Sequence, residues 1–302
     1  MRARVGRSLA RVVLVLAAVG VLVPTSAVHP VTISLTAVQS SKEVDFADGP
    51  VWVLLLGSDA RPGEELAAAR TDAIQLVGLD LAAGRAVGVG IPRDAWVDVP
   101  GSGSGRINGV VRKAGTEAVV DVVEELVGVR ADYVLLTGFE GFRSMVAAVG
   151  GVVVRSEVPF TDPELGLTVR AGRNLLDSDE ALDFTRSRKP LNTGDFARAA
   201  NQQALLLGVL RRLVSREDEP GFLEGGTVAA LTGLKTSLSP VDLYRLAEAV
   251  TRVRPERVTA CVLPGSPRTT SDGAEVIDVD PAVAQAIGAD AADDVRLGRC
   301  RT

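Results

Sequence analysis

Asp and Arg recur together along the first part of this chain: Asp59 with Arg61, Arg70 with Asp72, Arg93 with Asp94, then Arg106 two residues before Asn108. Each cluster adjoins an apolar, strand-like run. A second group lies downstream, with Arg186 and Arg188, then Asp195 and Arg198, then Asn201, Gln202 and Gln203. Guanidinium groups grip phosphates bidentately, while carboxylates hold hard cations or accept protons. Arg186 and Arg188 would project the same way from an extended segment, as a two-pronged anion clamp. With a helix starting near Asp195, Arg198 and Gln202 share a face, and Asp195 sits where a helix favours negative charge. Any one Asp–Arg pair reads more simply as a surface ion pair. Recurrence at successive strand ends argues instead for one shared site, because open α/β sheets bind ligands there.

Much other chemistry is excluded. The only histidine is His29 and the only cysteines are Cys261 and Cys300. Zinc sites of the usual kind, Ser-His-Asp triads and Cys-His dyads need residues that this chain does not have. What remains is work done by Asp, Glu, Arg, Lys, hydroxyls and an oxygen-liking metal. With 302 residues, 46% hydrophobic and 24% charged, the chain is globular. A net charge of −5 speaks against a nucleic-acid partner.

The elements that must position these groups begin after an N-terminal leader. Arg2, Arg4, Arg7 and Arg11 precede the apolar run from Val12 to Val23, and Thr25-Ser26-Ala27 is like a signal-peptidase site. Residues 1–28 read either as a cleaved signal peptide or as an uncleaved anchor. The run is short of the roughly 20 residues of a span, yet no charged residue intervenes between Arg11 and Lys42. Both readings put the basic end in the cytoplasm and the rest on the extracytoplasmic face of the cell membrane. Residues 29–49 read as a linker, and residues 50–302 as one domain, with a core over 51–213 and a C-terminal extension of the same fold.

Within that domain, strands are expected at Val51–Leu56, Ala73–Leu79, Ala86–Ile91, Tyr133–Thr137, Val152–Val154 and Val258–Leu263. Helical spacing marks Gly109–Val127, Phe139–Val149 and Phe196–Leu213. Ser178 is the expected cap of a short helix through Phe184, without capping-box spacing to Glu180. Ser239-Pro240 and Asp280-Pro281 start two more helices, the last through Ile287. Alternating strands and helices predict an α/β fold, a three-layer α-β-α sandwich around a mixed central sheet. In an exported protein Cys261 and Cys300 can form a disulfide; two inert thiols are the plainer alternative.

The order and wording of the motifs resemble the LytR-CpsA-Psr family of bacterial cell-envelope proteins. The matching pieces are LLLGSDAR, RTDAIQL, IPRD, RIN, LGLTVRAGRNLLDSDEALDFTRSR and GDFARAANQQ, in order from about Val51 to Leu213. LKTSLSPVDL and CVLPG in the tail also look like the family's C-terminal part. The chain departs from the usual pattern where Arg106 replaces Lys, which keeps the charge, and where Asn201 replaces Arg, which removes one.

The resemblance implies a membrane-associated phosphotransferase. It would move a glycopolymer from a polyprenyl-pyrophosphate carrier onto peptidoglycan and leave a phosphodiester link. Such a transfer can rest on positioning and charge neutralisation alone, so a missing catalytic histidine is no obstacle. By resemblance Mg²⁺ is the cofactor, with Asp59 and Asp72 as its ligands. Arg61, Arg70, Arg93, Arg186, Arg188 and Arg198 would contact the pyrophosphate, and Gln202 and Asn108 would support it. Asp72 and Arg93 would act in catalysis together with Asp94, either as base toward the acceptor hydroxyl or as a group that orients an arginine. An apolar groove for the prenyl tail is expected along helices Gly109–Val127 and Phe196–Leu213. A polyprenyl-pyrophosphate hydrolase and a non-catalytic binder of lipid-linked precursors are the rival readings. Transcriptional regulation is opposed by export and by acidic charge.

Overall fold

The computed structural model describes residues 49–61, 63–190 and 194–298. The leader, the linker as far as residue 48, and Cys300 lie outside the described residues. Six strands form the central sheet: β1 (Val51–Ser58), β2 (Thr71–Asp80), β3 (Arg85–Gly90), β6 (Tyr133–Thr137), β11 (Leu234–Thr236) and β12 (Val258–Val262). Their spatial order is β11-β6-β1-β2-β3-β12. β1 runs antiparallel to β2, and β2 to β3, while β6 is parallel to β1 and β12 to β3. The sheet is therefore mixed, as expected. Smaller two-stranded pairs surround it: β4 (Trp96–Val99) with β5 (Gly103–Arg106), β7 (Val152–Ser156) with β10 (Gly172–Leu176), β8 (Phe160–Asp162) with β9 (Leu167–Val169), and β13 (Ser266–Thr269) with β14 (Glu275–Asp278).

Alternation along β1 and β2 sorts their side chains onto two faces. Trp52, Leu54, Leu56, Ile74 and Leu76 join one core with helix α1 (Val110–Val127) and, from the C-terminal end, α7 (Pro281–Asp294). Val51, Val53 and Leu79 join the other, against α4 (Asp195–Arg216) and α6 (Pro240–Val250). A third cluster ties β7, β9 and β10 to α2 (Phe139–Ala148), α3 (Ser178–Arg186) and α5 (Phe222–Gly233). The three-layer arrangement follows. α2 and α5 approach closely: a Cβ at Gly141 would lie 2.3 Å from the Gly233 carbonyl oxygen, so neither residue can grow.

Several local readings are corrected. Asp177, not Ser178, caps α3. Its carboxylate accepts from the Asp179 and Glu180 N–H groups, and Glu180 reaches back to the Asp177 N–H, a complete capping box. The last helix runs on through Asp294, and α5 is an element that the sequence pattern does not predict. Gly225-Gly226 near its start looks like a break, yet Phe222 and Leu223 bury its first turn. Ser239 does cap α6, accepting from the Asp242 N–H. Cys261 is buried and disulfide-bonded.

Candidate active site

Polar segments meet at one end of the interior strands β1, β2 and β3. Ser58 at the end of β1 pairs with Thr71 at the start of β2, and β3 ends at Gly90 opposite Gln75. The Ile91–Asp94 segment leaves β3 there and is fixed by its backbone. Asn108 donates its N–H to the Arg93 carbonyl, and its own carbonyl accepts from the Thr71 hydroxyl. The N-terminus of α4 closes this end from the other side.

Arg93 is the hub. Its Nη1 donates to Asp72 Oδ2 at 2.7 Å, and its Nε lies 3.4 Å from Asp195 Oδ1 and 3.8 Å from Asp94 Oδ2. Arg198 also reaches Asp72 Oδ2 at 3.4 Å, Arg188 reaches Asp195 Oδ1 at 3.6 Å, and Arg106 reaches Asp94 Oδ1 at 3.6 Å. Four guanidinium groups thus surround three carboxylates. Desolvation makes the charges of Asp195 and Arg198 more consequential than on the surface, with side chains only 4% and 12% exposed, whereas the Arg188 side chain is half exposed.

The carboxylates differ in their protons. Burial lifts Asp94 most and the neighbouring Asp195 carboxylate lifts it further, so Asp94 is pushed up to about 6 against the pull of Arg93 and Arg106. Burial opposes the charge on Asp195 too, but Asp94 and then Arg93, Arg198 and Arg188 hold it below the ordinary carboxylate range. For Arg93 burial is outweighed by Asp72, Asp195 and Asp94, so its proton is held more tightly. Arg198 shifts the other way, through burial and the neighbouring Arg93 charge. A carboxyl that titrates at about 6 beside one held ionised is suited to moving a proton.

Residues 25–291 match the sequence profile of the LytR_cpsA_psr family. The chain belongs to the LytR_cpsA_psr family. It is 34% identical over 197 residues to the polyisoprenyl-teichoic acid–peptidoglycan teichoic acid transferase TagU of Bacillus cereus, covering 65% of this chain and 63% of that one. It is 29% identical over 248 residues to the cell wall biosynthesis protein LcpA of Corynebacterium glutamicum, covering 68% and 44%. The chain thus spans under two thirds of these relatives' lengths. Among solved structures, TagT bound to LI-WTA superposes with a TM-score of 0.67 at 26% identity, over 85% of this chain and 97% of that one. B. subtilis TagT gives 0.66 at 25%, with the same coverage.

This LytR_cpsA_psr fold brings Asp72, Arg93, Asp94, Arg188 and Arg198 into one network, and leaves other expected residues outside it. Arg61 and Arg70 are exposed on the β1–β2 connection. Asp59 accepts the Arg70 N–H on Oδ1 at 2.8 Å, next to the paired strand ends. The matched projection expected for Arg186 and Arg188 does not occur, because Arg186 is still the last residue of α3. It pairs with Asp183 at 3.3 Å and covers the Phe139 ring at 5.3 Å, while Ser187 between the two is buried. Gln202 is a latch and not a free ligand. Its Nε2 donates to the Asp72 and Thr185 carbonyls and its Oε1 accepts from Gln75. Asn201 holds the Ser187 and Lys189 carbonyls, which accounts for an amide where many family members carry Arg.

Sequence reasoning missed Asp195 as a site residue, although its place at a helix N-terminus is evident. Its partner Asp94 carries the only available signal, and nothing in spacing links positions 94 and 195. Of the two helices expected to line an apolar groove, the one over Phe196–Leu213 lines a cavity and the one over Gly109–Val127 does not. A cavity of about 480 Å³ lies between the sheet and helices α4 and α6, with Val77, Leu207, Leu210 and Leu246 on its walls and Gln75 and Gln203 on its polar side. α1 takes no part, because its apolar face is spent on the opposite core.

Proposed function

We propose that this protein transfers a glycopolymer from a polyprenyl-pyrophosphate carrier to peptidoglycan, on the extracytoplasmic face of the membrane. The observation that carries this is the pairing of a guanidinium-rich cluster with an apolar cavity, joined through Gln75 and Gln202. TagU is by name a polyisoprenyl-teichoic acid–peptidoglycan transferase, and TagT has been solved with LI-WTA bound, which support the same reading.

In this reading the prenyl chain occupies the cavity and the diphosphate meets Arg93 and Arg198. Asp94, ionised above about 6, takes the proton of the acceptor hydroxyl. The acceptor oxygen forms a bond to the phosphorus that carries the glycopolymer. The bond from that phosphorus to the bridging oxygen breaks, and polyprenyl phosphate leaves with the electron pair. The arginines spread the charge of the transferring phosphoryl group.

The residues present fit Mg²⁺. Asp72 Oδ1 is buried without a hydrogen-bond donor, and Asp59 stands next to the paired strand end. Among the described residues no group of three or more His, Cys, Asp or Glu could hold a metal; a two-carboxylate set is one that Mg²⁺ with retained waters accepts. Asp72 and Asp59 would hold the ion, which would supply neutralisation of diphosphate charge.

Purified protein given a labelled lipid-linked donor, with and without glycan acceptor, tests the transfer. Product that contains both label and acceptor is expected. Release of label that ignores the acceptor would leave a hydrolase, and neither outcome with tight donor binding would leave a binder.

A further inference from the structure

Asp94 and Asp195 open on a second cleft, about 510 Å³ in volume, between the start of α4 and the β13–β14 hairpin. The hairpin is fastened to the site by its backbone: Ile277 donates its N–H to the Asp94 carbonyl at 2.9 Å and bridges Ala95. Arg268 stacks over Trp96 at 5.5 Å and forms a two-bond pair with Asp278. All four residues of β13 are exposed, whereas its partner β14 anchors the hairpin by burying Val276 and Ile277. Pro267, Arg268 and Thr269 line the cleft together with Arg188, Phe196 and Glu275.

We propose that this cleft seats the acceptor, an uncharged glycan segment whose hydroxyl is presented to Asp94. The inference rests on the transfer reading above and locates its second substrate. Carboxylates at Asp94, Asp195 and Glu275 disfavour an anionic ligand, and the two arginines disfavour an apolar one. Alternating donors, acceptors and small apolar surfaces match the hydroxyls and C–H faces of sugars. The volume lies within the range of small-molecule sites, about 300–1,000 Å³. The cleft is also lined by different residues from the cavity assigned to the lipid, so donor and acceptor would reach the phosphate separately.

The test is binding of soluble peptidoglycan strands, freed of peptide and with their lactyl carboxyls capped as amides so that they are uncharged, to the whole protein by titration calorimetry, together with acceptor and donor KM. Thr269→Trp fills the cleft and should weaken glycan binding and raise acceptor KM by about tenfold or more, with donor KM unchanged. Glu275→Gln, a smaller change on an exposed residue, should raise acceptor KM about threefold with an unchanged melting temperature. It decides the matter if the Trp variant fails to fold. Wild-type acceptor KM in both variants, or no glycan binding by the wild type, overturns the proposal. A wild type that binds glycan but never transfers refutes the transferase reading and leaves the cleft assignment standing.

Discussion

Asp195→Asn should move the acid limb of the pH–rate profile to lower pH. Asp94 lies about two pH units above its ordinary 3.8, at about 6, which corresponds to a difference on the order of 3 kcal/mol between its two protonation states. Burial comes first among the causes and Asp195 second. Arg93 and Arg106 pull in the opposite direction. An amide at 195 keeps the shape of the side chain but removes the like charge, and the two arginines then act on Asp94 against burial alone. A neighbouring charge at such range moves a carboxyl by about 1–3 pH units, so the limb should fall by about one unit or more. With Asp94 as the proposed base, transfer needs it ionised, so activity should be lost as pH drops through its pKa, and the variant should remain active at a pH where the wild type has failed. The assay is kcat/KM for transfer across the acid and neutral range, which reports the free enzyme. An unmoved or raised limb would refute the argument, as would an Asp94→Asn enzyme that retains the wild-type profile.

Three further outcomes follow from the same geometry. Arg93→Ala leaves Asp72 and Asp195 short of a partner and should cost on the order of 3 kcal/mol of stability by denaturant titration, in addition to loss of transfer. Asp94→Asn should be more stable than the wild type at about pH 8. The folded wild type binds the Asp94 proton up to about 6 and the unfolded chain only to about 3.8, so wild-type stability falls as pH rises across that interval. The difference in melting temperature should shrink as pH falls below about 6. Val77→Trp, which fills the apolar cavity, should raise KM for a long-prenyl donor by about tenfold and leave a donor with a truncated chain nearly unaffected. Equal effects on both donors would place the lipid elsewhere.

Much of the fold is legible because its signals are local. Runs such as Val51–Leu56 and Tyr133–Thr137 show their burial in sequence, and Ser239-Pro240 shows a helix start. β13 is not legible because all four of its residues are exposed and no alternation is imprinted on it. At the site, the Asp72–Arg93 pairing follows from adjacent strand ends, whereas the Asp94–Asp195 pairing depends on where α4 docks against the sheet. The expected projection of Arg186 fails because α3 extends through it, a boundary that one residue decides. Gln202 does share a helix face with Arg198, since both reach Asp72, but its amide is consumed by backbone carbonyls.

The Gln75–Gln202 pair has a wider consequence. One amide borders the cavity of Val77, Leu207 and Leu210, and the next holds the carbonyl of Asp72 among the arginines. Hydrocarbon-like and salt-like surroundings are therefore separated by the thickness of two side chains. A bilayer makes the same change between its acyl and headgroup layers. A lipid diphosphate entering this protein would exchange one such boundary for another, with each end keeping its kind of solvent, and only its reactive phosphate would find something new.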